Sequence, residues 1–375
     1  MSYRVTDLPR GQQGAALVVA MLVFALVAAL MVGLQRDFTL TLQRGTHQLF
    51  SEQTWSYLMG AEGLAQVALQ QDSRMDARAE SPADHLGELW AQPPTPYPLD
   101  AGGWMTGGLE DLQGRLNLNG LIDASATSAG SGEGAAADGE AEGEADNAAD
   151  VPAERTAPTT LNSNDAEKRW SITQKQLIRL LQALGDASLS LDDAMVLTER
   201  ITDFIDADTD RRLEGAEGSD YRYASFPYLP ANQPLASVSE LRAVQGMTET
   251  VYDALAPLVT VWPVASSRLN ILTCPLAVLQ TLNGDDQLSP LPAMEAERLD
   301  ALRREGDITQ VEDLLGDPVF EGQALTELQP MLDVRSDWFL LDASVELAER
   351  ERHLFTVLHR TPEGAVAVFR SEGEL

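Results

Sequence analysis

The chain opens with a short polar stretch followed by one long apolar run. Residues Ala15 to Leu34 carry no charged side chain. At about 1.5 Å per residue, a run of this length spans roughly 30 Å, the thickness of a bilayer core. Beyond Leu34, large apolar residues continue at helical spacing to about Gln71. The pattern predicts one helix over 15–72, which starts as a membrane anchor and continues as an amphipathic stem.

The hydrophobic pattern becomes weaker after the stem. Residues 73–123 include Leu112, Leu116 and Leu118, which alternate with polar residues around Gly114. This alternation predicts a strand or extended segment. Residues 124–164 are mostly Ala, Gly, Ser, Glu and Asp, and such a segment buries too little surface to offset its ordering entropy. We predict a disordered acidic loop there.

Residues 165–330 have apolar residues at three- and four-residue spacing, which is typical of short helices. Ser190 and Ser237 are good N-caps for two of them. The predicted helices are Ile172–Leu184, Leu191–Ile205, Val238–Val244, Thr248–Leu258, Pro275–Leu282, Ala293–Arg303 and Gln310–Leu315. We also expect Thr273 to cap the helix that follows it, with Pro275 in its first turn.

The pattern changes to alternation over residues 331–375. Trp338–Val345, His353–Leu358 and Ala365–Phe369 alternate apolar and polar side chains, which predicts an antiparallel meander. Strands on both sides of a helical block predict an α+β fold. In this fold the helical domain of 165–330 is inserted into a sheet formed by 73–123 and 331–375.

Charge and composition exclude several functions. The formal net charge is -32, so a phosphate-rich partner such as nucleic acid would be repelled. The single cysteine, Cys274, excludes an internal disulfide and is predicted to be buried. Histidines are few and scattered, and no Gly-rich phosphate loop follows a strand. The sequence therefore predicts a chain that is not an enzyme.

The junction at Gly14 gives a first resemblance. A leader with Arg4 and Arg10 precedes it, and positive charge keeps that end in the cytoplasm. The layout resembles a type IV pilin-like N-terminus. The resemblance implies that residues 1–14 are a leader removed by a prepilin peptidase, with Ala15 as the N-methylated first residue. On the N-terminus alone, an uncleaved signal anchor fits equally well.

Most pilins carry Glu at the fifth mature position, where this chain has Val19. A carboxylate in a bilayer is costly unless a cation pairs with it. In pilins it is thought to pair with the N-terminal amine of the subunit ahead. A subunit with none ahead needs no such group, and its absence is characteristic of the K-type minor pseudopilin of type II secretion systems. The string Asp111–Asn119 also resembles the D-x-Q-G-x-x-N-L-N signature of that family.

The resemblance covers nearly the whole chain except the acidic loop. It implies a pilin-like fold with a long N-terminal helix, an antiparallel sheet and a large inserted all-α domain, SAM-like or helix-hairpin-helix-like. The hairpin motif lies over Val238–Leu255 and turns at Gly246. Its neighbours Glu240, Glu249 and Asp253 would repel phosphate, so we interpret it as a packing motif.

The loop after the Leu191–Ile205 helix contains the densest group of carboxylates. Asp206, Asp208 and Asp210 stand at alternate positions, as carboxylates often do in calcium loops. Gly and the closing Glu are at the wrong offsets for an EF-hand. A solvated acidic loop is the alternative. The surrounding string resembles the calcium-binding region of the K-type family, which implies a structural calcium site. The implied ligands are first Asp206, Asp208 and Glu217, then Asp220, Asp210 and Asp203.

The resemblance implies an assembly role. The chain would initiate and cap the periplasmic tip of the pseudopilus, packing against the I and J minor pseudopilins. Its head would lie in the periplasm, anchored by a single pass in the inner membrane, with secreted substrates or the outer-membrane secretin as further candidate partners. The alternatives are a membrane-anchored calcium-binding protein and a minor subunit of a type IV pilus.

Overall fold

A computed structural model describes residues 13–79, 81–100, 102–122, 170–223, 227–265 and 267–373. The first element is one helix, α1 (Gln13–Asp76), which confirms the predicted single helix over 15–72 and extends it slightly. Among the described residues, α1 alone is long and apolar enough to cross a membrane. The predicted leader before Gln13 and the predicted acidic loop of 124–164 lie outside the described residues.

The sheet is antiparallel throughout and has five strands in the order β1-β2-β7-β8-β9. The strands of the chain are β1 (Tyr97–Pro98), β2 (Trp104–Asp111), β3 (Leu116–Asn117), β4 (Val259–Thr260), β5 (Leu269–Asn270), β6 (Leu332–Asp333), β7 (Trp338–Leu347), β8 (Arg350–Thr361) and β9 (Gly364–Ser371). The predicted C-terminal meander is therefore confirmed. The short strands form two parallel pairs, β3 with β4 and β5 with β6.

The central pair of the sheet joins distant parts of the chain. Strand β2 pairs with β7 from Trp104 opposite Glu346 to Asp111 opposite Phe339. All of the helical block lies between these two neighbours in sequence. The chain therefore leaves the sheet at the end of β2 and returns to it at the start of β7.

The C-terminal half of α1 packs on this sheet. Leu58, Ala61, Ala65 and Leu69 recur at helical spacing and are buried. They contact buried side chains of the strands, among them Phe339, Leu341, Ala343, Val345, Leu354 and Leu358. We call this helix half together with the five strands the sheet head.

The predicted extended segment around Leu112, Leu116 and Leu118 is confirmed only in part, because it is extended at the two-residue β3 and turns at Leu112–Gly114. The long strand of this region is β2, and two 3-10 turns bracket β3. Asp111 and Asn117 cap these turns by accepting from the N–H groups of Gln113 and Asn119, which stabilises turns over extended backbone. The alternation does not mark one face of a strand, because Leu116 and Leu118 are buried in the helical core whereas Leu112 packs with Leu340 and Val357 of the sheet.

The remaining described elements form one helical lobe, defined here as the residues between Leu112 and Leu332. The helices are α2 (Ile172–Gln182), α3 (Leu191–Ile205), α4 (Gly218–Arg222), α5 (Glu249–Leu255), α6 (Leu276–Leu279), α7 (Ala293–Glu305) and α8 (Val311–Leu315). The 3-10 helices are Leu112–Gly114, Leu118–Leu121, Gly185–Ala187, Val238–Ala243, Ala256–Leu258, Pro318–Phe320 and Gln329–Met331. One continuous apolar core joins these elements.

Several predicted helices are confirmed, with corrections at the hairpin motif and at Thr273. Val238–Ala243 is a 3-10 helix, and Gly246 turns the chain at φ 90° before α5. The likeness to a SAM-like or helix-hairpin-helix domain stays a prediction. Cys274 is fully buried, as predicted.

A buried carboxylate joins the lobe to the sheet head at the end of β2. Asp111 Oδ2 accepts from Thr273 Oγ1 at 2.5 Å, Ser336 Oγ at 2.6 Å and Asn270 Nδ2 at 3.1 Å. Thr273 therefore does not cap α6, the helix after it, whose N-cap is Pro275 with no side-chain hydrogen bond. Burial raises the pKa of Asp111 to about 6. We call these four side chains the junction cluster.

The junction cluster predicts an asymmetric mutational result. Asp111→Ala leaves three buried donors without their acceptor and should lower the free energy of unfolding by about 2–4 kcal/mol. Its neighbour Glu110 is exposed and, among the described residues, forms an ion pair with Arg115, so Glu110→Ala should cost less than about 1 kcal/mol. Urea unfolding of both variants measures the difference. Equal losses would show that the junction cluster does not hold the lobe to the sheet head.

Candidate metal centre

The carboxylate-rich loop of residues 206–217, which we call the metal loop, begins where α3 ends. Ser190 caps the start of this helix by accepting from the N–H of Asp193 at 3.2 Å. At the other end, the N–H of Asp206 donates to the Thr202 carbonyl at 2.9 Å, and the Asp206 backbone is already extended. The last hydrogen bond of a buried helix therefore fixes the Asp206 carboxylate at the base of the loop.

Glu217 closes the loop as the N-cap of α4. Its N–H donates to Asp220 Oδ2 at 3.0 Å, and its Oε2 accepts from the N–H of Gly218 at 3.3 Å. This reciprocal arrangement is a capping box. It uses one oxygen of each carboxylate and leaves Glu217 Oε1 free for another contact.

Three of the predicted ligands come together. Asp206, Asp208 and Glu217 each offer an oxygen, and these atoms lie within 4.8 Å of one another. Asp206 and Glu217 are buried, whereas Asp208 is exposed. Calcium binds oxygens at about 2.3–2.6 Å, so oxygens on opposite sides of one ion are about 5 Å apart. The spacing fits a single ion at the mouth of the loop.

Three buried oxygens around this point lack a hydrogen-bond partner within the described chain: Asp206 Oδ1, Glu217 Oε1 and Asn232 Oδ1. The amide of Asn232 also lies beside the loop, since its Nδ2 donates to the Asp208 carbonyl at 2.8 Å. Buried polar atoms are nearly always paired, and leaving charged ones unpaired is costly. A bound cation would satisfy all three.

The charges around the loop also favour a bound cation. Burial, reinforced by the charges of Asp203, Asp206 and Asp208, raises the pKa of Glu217 to about 7. Burial also raises the pKa of Asp206. The guanidinium of Arg212 donates to Asp206 and, at 2.7 Å, to Asp203 Oδ1. Arg211 lies 3.5 Å from Asp220, so Arg212 alone faces the carboxylates of Asp203 and Asp206, and their net negative charge with Asp208 and Glu217 favours uptake of a proton or a metal ion.

The other three predicted residues occupy supporting positions. Asp203 is fully buried and accepts from the backbone N–H of Arg212 at 3.1 Å, so its contacts shape the loop. Asp220 is engaged in the capping box. The carboxylate of Asp210 lies outside the group of three, while its N–H donates to Asp208 Oδ1 at 2.8 Å.

Gly215 permits the close approach of the two sides of the loop. A Cβ at this position would lie 1.8 Å from Asp203 Oδ2 and 3.2 Å from Arg212 Cβ. No side chain fits in that space without moving Asp203. The glycine next to Ala216 and Glu217 in the sequence is therefore a steric requirement of the fold.

The donor set is made of carboxylate and amide oxygens, with no thiolate or imidazole among the described residues of the site. Such hard ligands suit Ca²⁺ or Mg²⁺. Asn232 was not among the predicted ligands. The sequence signal for Asn232 is its place in the string 231–235 after the carboxylates. In the structure its backbone is left-handed, with φ 44°.

A second surface with functional character lies on α1. The face that packs on the sheet is buried, but Leu64 and Val67 on the outer face are 63% and 62% exposed. Trp55 is also exposed on the stem. Apolar residues in a row along a helix that already has a packed face indicate a contact with other helices. Gly14 and Ala15, the predicted processing residues, lie in the first turn of α1.

Comparisons with known proteins agree on one family. The family described as type II secretion system (T2SS), protein K, matches residues 114–264. Type II secretion system protein K of Pseudomonas aeruginosa is 30% identical over 361 residues, which is 96% of this chain and 92% of the relative. The protein of the same name from Pectobacterium carotovorum is 27% identical over 372 residues, or 96% and 97% of the two chains.

A solved structure shows the same fold. A chain of the crystal structure of the GspK–GspI–GspJ complex from the type 2 secretion system of enterotoxigenic Escherichia coli matches with a TM-score of 0.62. It is 25% identical, and the match covers 88% of this chain and 100% of that one. The long N-terminal helix, the antiparallel sheet and the near full-length similarity together place the chain in the type II secretion system protein K family, whose members are minor pseudopilins.

Proposed function

We propose that this minor pseudopilin initiates the pseudopilus and stays at its tip. The observation that carries the proposal is the match, over 88% of the chain, to a structure solved as a complex with GspI and GspJ. By this similarity the partners here are the corresponding I and J minor pseudopilins. The bare apolar face of α1 supplies the surface they would cover.

The capping role rests on two features of this chain. No acidic residue lies between Ala15 and Leu34, so the subunit carries no carboxylate for the amine of a subunit ahead. The helical lobe also adds a broad second body between β2 and β7. A pilin-like subunit stacking above would have to occupy the space beside the sheet head that this lobe fills. Secreted substrate and the outer-membrane secretin remain predicted partners of the exposed tip.

Partner assembly is expected to depend on the outer face of the stem. Leu64→Arg and Val67→Arg place a charge where the partners would bury apolar surface, which is costly without a counter-ion. Co-purification with the I and J subunits should fall about tenfold or more, a difference of about 1.4 kcal/mol. Pull-down from detergent-solubilised membranes measures it.

The matched control is Met294→Arg, which makes the same change at an apolar residue of the helical lobe that is 81% exposed. It should leave the recovery of both partners at the wild-type level. The melting temperature of the head should be unchanged in all three variants. Wild-type recovery of partners by the two stem variants would refute the proposed assembly surface.

We further propose that the leader ends at Gly14 and that the mature, N-methylated chain begins at Ala15. It would be anchored in the inner membrane with its head in the periplasm. The abrupt start of the apolar run after glycine supports this processing. Intact-mass measurement of protein from cells with prepilin peptidase should give a chain starting at methylated Ala15. The unprocessed mass should appear in cells lacking the peptidase and in Gly14→Val, where the small residue at the cut is lost. A full-length mass in all cases would indicate an uncleaved anchor.

The metal loop, residues 206–217, is proposed to hold a structural calcium ion. Asp206, Asp208 and Glu217 are the ligands that the geometry favours, with Asn232 as a fourth. Asp203 and Asp220 act by holding the loop and α4, and Asp210 lies at the exposed rim. The ion would neutralise buried carboxylates and pin a loop that has few apolar side chains of its own. Its chemistry would be structural, since the donor groups present no reactive centre.

Calcium should therefore raise the melting temperature of chelator-treated protein. At about 100 times the Kd, a single site stabilises the folded state by about 2.7 kcal/mol. Asp206→Asn should lose most of this gain. Asp192→Asn removes the same charge from an exposed position on α3 and should keep it. Differential scanning calorimetry with and without added Ca²⁺ measures the shifts.

The stability gained on adding calcium should also depend on pH. Because the pKa of Glu217 is raised from 4.5 in the unfolded chain to about 7, the calcium-free protein loses stability as pH rises through that interval. Protons and calcium compete for the same oxygens, so the calcium gain should be larger at about pH 8 than at about pH 5. A gain equal in wild type and Asp206→Asn would place any bound calcium elsewhere.

A further inference from the structure

The last strand of the sheet has one side without a neighbouring strand. In the order β1-β2-β7-β8-β9, the outermost strand β9 pairs with β8 alone among the described strands. On its other side, the backbone of 365–369 makes no backbone hydrogen bond to any other described element. We call this side of 365–369 the open edge. A row of unpaired N–H and C=O groups is a template for another strand.

The two edges of the sheet differ in their protection. At the other edge, β1 has only two residues, Tyr97–Pro98, and prolines at 93, 94 and 96 precede it. Short strands and prolines, which lack an N–H, discourage the addition of a further strand. In contrast, β9 has eight residues with neither proline nor lysine. Its one charged side chain, Arg370, is engaged by Glu62 of α1 at 2.6 Å, so no free charge guards the open edge.

The turn before β9 determines which backbone groups face the open edge. A turn of two residues, 362 and 363, joins β8 to β9 and places Thr361 opposite Gly364. In such a hairpin the two residues that flank the turn are hydrogen-bonded to each other, and bonded and non-bonded pairs alternate from there. The N–H and C=O groups of Ala365 and Ala367 therefore point away from β8, toward the open edge.

The two faces of β9 carry different side chains. Ala365 and Ala367 are small and pack toward α1. Val366 and Phe369 lie on the opposite face and are 54% and 39% exposed. The ring of Phe369 lies 5.6 Å from that of Trp262 in the lobe, measured between centroids. An added strand would therefore meet exposed apolar side chains on its outer face.

A bulge extends the apolar surface, while α1 supplies a polar flank. Val368 has no partner on β8, because the register shifts at this point, and its side chain is 47% exposed. On the stem side, Gln70 donates from Nε2 to the carbonyl of Glu363 at 3.5 Å, and the pair of Glu62 and Arg370 lies near the other end of β9. A segment that alternates apolar and polar residues fits these two flanks.

We propose that the open edge of β9 binds an extended segment of an exported protein, which adds to the sheet as a sixth strand. The segment would place apolar side chains beside Val366 and Phe369 and polar ones beside α1. Hydrogen bonds to the main chain recognise extended conformation more than sequence, so one edge could serve exported proteins of different sequence. The proposal rests on the proposed position of this subunit at the tip.

Polarity and position favour an exported protein over the other sources of a strand. The segment 365–369 is uncharged in a chain of net charge -32, so it repels an incoming acidic protein less than most of the surface does. The I and J subunits are assigned to Leu64 and Val67, which lie about 200° and 140° around α1 from Glu62, the residue beside β9. A second copy is not expected at the same tip.

Photo-crosslinking of the full chain in exporting cells tests the proposal. A photoreactive amino acid replaces Val366, and mass spectrometry identifies the adducts. We expect adducts with proteins that the same cells export. The same amino acid at Tyr97, which is 64% exposed on the protected edge, should give about tenfold less. Adducts of Val366 with the I or J subunit or with a second copy, or no adduct at all, would overturn the proposal.

Ala365→Pro tests whether the main chain does the pairing. It removes an N–H that faces the open edge, so the yield of the Val366 adduct should fall about tenfold. Ala365→Ser keeps the N–H and should give the wild-type yield. Because this N–H is not bonded to β8, both variants should melt as the wild type does. If Ala365→Pro melts lower, Ala367→Pro removes the next such N–H and should give the same loss of adduct.

Equal adduct yields in the proline and serine variants would contradict strand addition. Recovery of the I and J subunits should be the same in wild type and in every variant, since β9 lies away from their assigned surface. This recovery measures the proposed function separately. A missing adduct with normal recovery of both subunits therefore counts against the open edge alone.

Discussion

The pairing of β2 with β7 is the constraint on which the structure depends. The two strands are neighbours in the sheet although the helical lobe lies between them in sequence, so the lobe exists as a body attached at one end of that pair. Closing so long a connection costs entropy, which the junction cluster offsets at the point of departure. Asp111 is the last residue of β2 and binds Asn270 and Thr273 of the lobe. This buried carboxylate acts together with the packing of Trp262 on Trp338 and Phe369, which also joins the lobe to the sheet.

Local pattern was sufficient for much of the fold. The apolar run of α1, the amphipathic spacing of α3 and the alternation in β7 to β9 each express one buried face, so the sequence could predict them. Strand β2 could not be predicted, because Gly107 and Gly108 break its alternation and its neighbour β7 is remote. The alternating leucines after Asp111 were misleading because the nearby Asn117 and Asn119 are buried too and bond to the backbone of the lobe. Thr273 has the sequence signal of a helix cap, but a distant carboxylate takes its hydroxyl.

The sequence predicted that carboxylates gather in the candidate metal centre, but it did not predict which of them face one another. The spacing of Asp206 and Asp208 signals a cation loop, yet only the fold shows that Glu217 faces them and that Asp210 does not. The reason for the loop is general: carboxylates that are buried beside too few guanidinium groups favour another positive charge.

The central claim is that a rigid lobe on the sheet head keeps this subunit at the end of the filament. Cys274 is fully buried, so a Met294→Cys chain has one reactive thiol, on the exposed surface of α7. Gold particles attached to that thiol, viewed on assembled pseudopili by electron microscopy, give the position of every copy. The account predicts one label per filament, always at the same end. Labels distributed along the filament would contradict it.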